Sequence, residues 1–109
     1  MNTKIVENID LNMSAVADFC RRWHINEMSL FGSVLRDDFT ENSDVDVMVS
    51  FELGKEPSFM TLRDAVDELS TLVKHDVSIS TRDAIMWRRT LPSIRESILS
   101  TAEVIYALP

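Results

Sequence analysis

The chain is poor in turn formers and thiols: its 109 residues include 2 glycines, 3 prolines and 1 cysteine, with a single tyrosine and 7% aromatics. So little glycine and proline excludes collagen-like repeats and low-complexity linkers, and a 45% hydrophobic share excludes a disordered chain. Cys20 has no second cysteine with which to form an internal disulfide. No apolar run approaches the ~18 residues of a membrane span, and no basic-then-apolar leader opens the sequence. These absences predict a soluble protein of a reducing compartment, the cytoplasm, with no membrane association.

Positive charge is scarce as well. Lys and Arg number 11 against 18 Asp and Glu, a net charge of −7. The deficit sits in residues 1–76, with 7 basic and 15 acidic side chains, whereas residues 77–109 carry 4 and 3. Nucleic-acid phosphates repel such a chain unless metal ions or a partner intervene, which argues against a binder of free DNA or RNA. The length suits one core, so a single domain over residues 1–109 is expected.

What is present is a clear succession of periodic segments. Val16, Phe19, Cys20 and Trp23 fall at helical spacing between Leu11 and Trp23, with Asp10 available as a cap. Glu27–Phe31 reads as a strand running into a tight turn at Gly32. From Asp44 to Glu52 the chain alternates, with Val45, Val47, Val49 and Phe51 on one face and Asp44, Asp46, Met48 and Ser50 on the other, the period of a half-buried strand. After Gly54, Pro57 and Ser58, a helical stripe follows through Phe59, Leu62, Val66, Leu69 and Val73. Asp76–Ser80 reads as a further strand, Arg82–Arg89 as helix or loop, Pro92 onward as a helix with proline in its first turn, and Val104–Tyr106 as a last strand. Strands alternating with helices predict a small α/β sandwich.

The chemistry concentrates in Gly32-Ser33, the pair Asp44 and Asp46 ten residues on, and Asp76 about a helix later. Carboxylates two apart on a strand share a face and repel one another unless a cation sits between them. Mg²⁺ suits that place, because it binds through one or two carboxylates plus substrate phosphates. A third carboxylate on a neighbouring strand would complete a site for two metals or accept a proton from an attacking hydroxyl. Glycine at the turn lets backbone N–H groups approach a phosphate, and the Ser33 hydroxyl adds a hydrogen bond.

In the contexts Ser29-Leu30-Phe31-Gly32-Ser33-Val34-Leu35-Arg36 and Ser43-Asp44-Val45-Asp46-Val47, this constellation resembles the signature of the polymerase beta-like nucleotidyltransferase superfamily. It is most similar to the minimal single-domain branch, the MNT-domain antitoxins that accompany HEPN-domain toxins. The resemblance covers most of the chain, since His75-Asp76-Val77-Ser78 falls where that family carries its third carboxylate. It implies the small nucleotidyltransferase fold, a mixed sheet flanked by helices. It further implies that Gly32, Ser33 and Arg36 hold the nucleotide, and that Asp44, Asp46 and Asp76 form the catalytic, metal-binding triad for two Mg²⁺ ions. ATP would be the donor, a tyrosine hydroxyl of a HEPN ribonuclease toxin the acceptor, and a hetero-oligomer with that toxin the assembly. Two positions depart from the family: Leu35 stands where a small residue is common, and Asp37 where glycine is.

Competing readings fare less well. A calcium loop needs an oxygen ligand at Met48 and a glycine at Val49. Asp37-Asp38 follows a turn and does not end a buried strand, unlike a phospho-accepting receiver site. His24, His75 and Cys20 are too dispersed for zinc; the histidines read as ordinary partly buried residues and Cys20 as core. Ser33 lacks a His-plus-acid pair for hydrolysis. Arg82, Arg88, Arg89 and Arg95 read either as solvated faces or as a basic rim for a partner, with Trp87 beside them favouring protein contact. Two functional alternatives remain: a nucleotidyltransferase for small molecules or RNA ends, and an antitoxin that acts by binding alone.

Overall fold

A computed structural model describes residues 8–87 and 91–108. Helix α1 covers Met13–Arg22 and strand β1 Ile25–Phe31, followed by one 3-10 turn over Gly32–Leu35. Strand β2 (Val45–Phe51), helix α2 (Phe59–Val73) and strand β3 (Val77–Thr81) come next, then helices α3 (Arg82–Met86) and α4 (Pro92–Thr101) and strand β4 (Glu103–Ala107). The four strands form a mixed sheet in the order β3-β2-β1-β4. β1 runs antiparallel to β2 and β4, whereas β2 and β3, joined through α2, are parallel. This is the mixed, helix-flanked sheet that the sequence led us to expect.

Alternation in β2 explains the core. Val45, Val47 and Val49 are buried against Val16, Phe19 and Cys20 of α1 and Ala65, Leu69 and Val73 of α2, with Met28 and Leu30 of β1 completing the layer. The opposite face is less polar than the alternation implies: Met48 is only 4% exposed, because α3 packs over β2 and β3 and brings in Ile85. Sequence period reports the side of a strand, not what covers it.

Local chemistry corrects other boundaries. The cap of α1 is Asn12, whose side chain accepts from Ala15 N–H at 3.1 Å, and not Asp10. Ser58 caps α2 by accepting from Thr61 N–H at 3.2 Å. Phe59 begins the predicted stripe of α2 but is 88% exposed; the buried stripe runs through Ala65, Leu69 and Val73, with Leu62 packed against it. Pro92 opens α4 as expected. His24 proves to be exposed, paired with Glu52 at 2.9 Å, whereas His75 is half-buried against the Phe39 ring. Cys20 is core, as its spacing indicates. Of the four arginines considered for a basic rim, Arg82 faces Glu27 at 3.8 Å, and Arg88 and Arg89 lie outside the described residues.

Candidate active site

β1 and β2 deliver the first part of the site by register alone. Phe31 lies opposite Asp46 across the antiparallel ladder, and the next residue, Gly32, turns the chain with φ of +79°. A side chain there would have to displace Asp46. A Cβ built on Gly32 collides with the Asp46 carboxylate, whose Cγ would be 3.3 Å away. Glycine therefore answers two demands, a left-handed backbone and the close approach of a carboxylate. Buried Val34 anchors the turn in the core, and Arg36 N–H closes it on Ser33 O at 2.9 Å.

The Ser33 hydroxyl reaches Asp44 O only at 3.5 Å, a contact long enough to leave it available to a ligand. Arg36 extends from the end of the turn into solvent, where its Nε donates to Asp38 at 3.3 Å. On β2, burial and then the neighbouring Asp44 charge raise the pKa of Asp46 above the ordinary aspartate value, with Arg36 opposing. An anionic pair held this way favours a cation between its members. Asp76 sits just before β3, where two bonds secure the backbone: Val45 N–H donates to Asp76 O at 2.8 Å and Val77 N–H to Ser70 Oγ at 3.1 Å.

Val45 pairs with Val77 and Asp46 with Ser78, so Asp44 and Asp76 stand at neighbouring positions, each one residue ahead of its strand. Yet among the described residues no three His, Cys, Asp or Glu side chains converge on one metal-sized point. The structure couples Asp46 to the Asp44 charge and leaves Asp76 outside any common metal-sized cluster with them. The pair fits Mg²⁺ in its usual manner, two carboxylates supplied by protein and the remaining oxygens by substrate phosphate and water.

An open cleft of about 1030 Å³ brings Gly32, Ser33, Arg36 and Asp46 onto one wall, with Ser93, Ser97 and Thr101 of α4 on the other. Asp44 and Asp76, both exposed, stand outside its lining. Two contributors escape the sequence reading. The hydroxyls of α4 recur every four residues, a signal that spacing could have revealed. Asn8, whose side-chain amide bonds Val34 O at 2.7 Å and Arg36 O at 2.8 Å, carries no local signal at all.

The model of the nucleotidyltransferase domain matches residues 13–105, from the first helix to the last strand. The chain belongs to the nucleotidyltransferase-domain family. A relative from Methanocaldococcus jannaschii, provisionally named a protein adenylyltransferase, is 30% identical over 78 residues, which make up 72% of this chain and 78% of the relative. Among solved structures, a provisionally assigned minimal nucleotidyltransferase superposes with a TM-score of 0.63 at 28% identity, covering 84% of this chain and 86% of that one. A toxin-antitoxin complex with AMP-PNP gives 0.66 at 16% identity, over 90% and 75% of the two chains. The complex of a tri-AMPylated HEPN toxin with its MNT antitoxin from Shewanella oneidensis gives 0.58 at 14%, over 89% and 71%. At these last two identities the likeness establishes the nucleotidyltransferase fold.

Proposed function

We propose that this nucleotidyltransferase is a Mg²⁺-dependent antitoxin that transfers AMP from ATP to a tyrosine hydroxyl of a partner HEPN toxin, in a hetero-oligomer with it. The observation that carries the reading is the contact of the Gly32 turn with the Asp46 carboxylate on the wall of one cleft. It joins a phosphate-binding turn to a metal-binding carboxylate without intervening structure. The names of the relatives, a protein adenylyltransferase and antitoxins with HEPN toxins, support the choice of donor and acceptor.

Gly32 and Ser33 would hold the triphosphate through backbone N–H groups and the Ser33 hydroxyl, and Arg36 would leave Asp38 to meet phosphate charge. Asp44 and Asp46 would hold the metal, which when bound supplies positive charge against the phosphate oxygens. The acceptor oxygen attacks the α-phosphorus, its proton passes to Asp76, and the bond to the departing pyrophosphate breaks. Asp44 and Asp76 stand exposed outside the cleft, so an acceptor carried on a bulky partner reaches them without entering it.

Intact mass spectrometry of the partner toxin after incubation with the protein, Mg²⁺ and each nucleoside triphosphate tests this. The expected result is a mass gain of one or more AMP units with ATP, absent with Asp44→Asn and absent when the acceptor tyrosine is changed to phenylalanine. No gain with any nucleotide, together with toxin still inhibited, assigns neutralisation to binding alone.

A further inference from the structure

We infer that Asn8 is a positioning residue of the nucleotide-binding turn, an inference that rests on the reading of that turn as the triphosphate site. Asn8 precedes the residues that the family model matches, and no part of the signature includes it. Its Nδ2 nevertheless donates to both Val34 O and Arg36 O, at 2.7 and 2.8 Å, across 26 and 28 residues of sequence. A 3-10 turn of four residues leaves carbonyls without partners at its end. A primary amide has two N–H hydrogens, one for each carbonyl, so Asn8 satisfies both at once. A hydroxyl offers one hydrogen, and an ionised Asp offers none.

The anchor itself is held by the residues that follow it. Ile9 is buried in the core cluster that also contains Val34, and Asn12 caps α1, so the backbone of Asn8 is fixed relative to sheet and helix. Asn8 also lines the cleft beside Gly32, Ser33 and Arg36. In a planar trans peptide the N–H points opposite to the carbonyl. Tying down the Val34 and Arg36 carbonyls therefore sets the direction of the Leu35 and Asp37 N–H groups and, through the Arg36 N–H bond to Ser33 O at 2.9 Å, steadies the residue that carries the Ser33 hydroxyl. The turn is held in one conformation before a phosphate arrives, which lowers the ordering cost of binding.

The test compares wild type with Asn8→Ala, Asn8→Asp and Asn8→Gln in three measurements: Mg·ATP affinity by calorimetry, kcat and KM for AMP transfer, and amide hydrogen exchange over residues 32–37. Asn8→Ala is expected to raise both Kd and KM roughly tenfold, the equivalent of one or two net hydrogen bonds. kcat should change much less, and exchange should quicken in the turn while β2 stays protected. Asn8→Asp should match or exceed that loss despite its equal size, and Asn8→Gln, which keeps both donors, should recover part of it. Should Asn8→Ala fail to fold, Asn8→Ser takes its place with an intermediate effect. Unchanged Kd and turn exchange overturn the inference, as does a fall in kcat at constant KM, which reports only a smaller folded fraction. If wild type binds Mg·ATP but modifies no partner, the acceptor assignment fails while Kd and exchange still decide the role of Asn8; if wild type binds no Mg·ATP, both fall.

Discussion

At Gly32 a left-handed backbone and the Asp46 carboxylate occupy the space a side chain would need. Gly32→Ala is therefore expected to cost about 1–2 kcal/mol for the left-handed conformation, to push Asp46 off its place, and to remove nucleotide transfer; a fully active variant would separate the turn from the chemistry. Asp46 makes a different prediction. Burial and the Asp44 charge raise its folded pKa above the unfolded value, so the folded state holds its proton more tightly. Stability is then greatest below the unfolded pKa and declines as pH rises through the folded one. Asp46→Asn removes that decline, so without ligand it should melt above wild type at neutral pH and show a flatter pH profile on the acidic side. It should also abolish transfer and lose the rise in melting temperature expected of wild type with Mg·ATP. Thermal scans at constant ionic strength, with and without Mg·ATP, check all of this.

Between elements, the packing of α1 on α2 has a polar clamp at its rim. Glu68 on α2 pairs with Arg22 and accepts from Trp23 Nε1 at 3.3 Å, both at the end of α1. The Arg22 hydrogen bond, with Trp23 assisting, holds the Glu68 carboxyl below the usual glutamate range. A depressed folded pKa stabilises the protein above the unfolded value, and that contribution is lost as pH falls through the folded one. Glu68→Gln should consequently be less stable than wild type at neutral pH, with the gap closing in acid. Because the pair is partly exposed, salt should narrow it too. Urea unfolding across pH and ionic strength measures both trends; a gap that persists in acid would assign the effect to packing of the side chain instead.

For the molecule as a whole, Cys20 offers a reporter. It is fully buried in the core and its thiol is pushed up to about 12 by burial, so a thiol reagent reaches a reactive thiolate only when the domain opens. Labelling under mild reagent then follows the population of the unfolded state. Mg·ATP at a hundredfold excess over its Kd should slow labelling roughly a hundredfold, by linkage. Asp44→Asn should abolish that protection while leaving the basal rate similar. Equal rates with and without Mg·ATP would mean that the cleft does not take nucleotide.

What the sequence determined by itself was local. Two-residue alternation from Asp44 put both acids on one side of a strand, helical spacing picked out Val16, Phe19 and Cys20, and the scarcity of glycine made Gly32 conspicuous. Such signals survive because strand and helix periods are set by backbone geometry. Strand order, the parallel pairing that carries Asp76 past Asp44, and the cover of α3 over Met48 were decided only by tertiary structure. Asn8 shows the reason most plainly. A side-chain amide meets carbonyls 26 and 28 residues away because one core takes in both Ile9 and Val34, and no pattern within a few residues of Asn8 encodes that meeting.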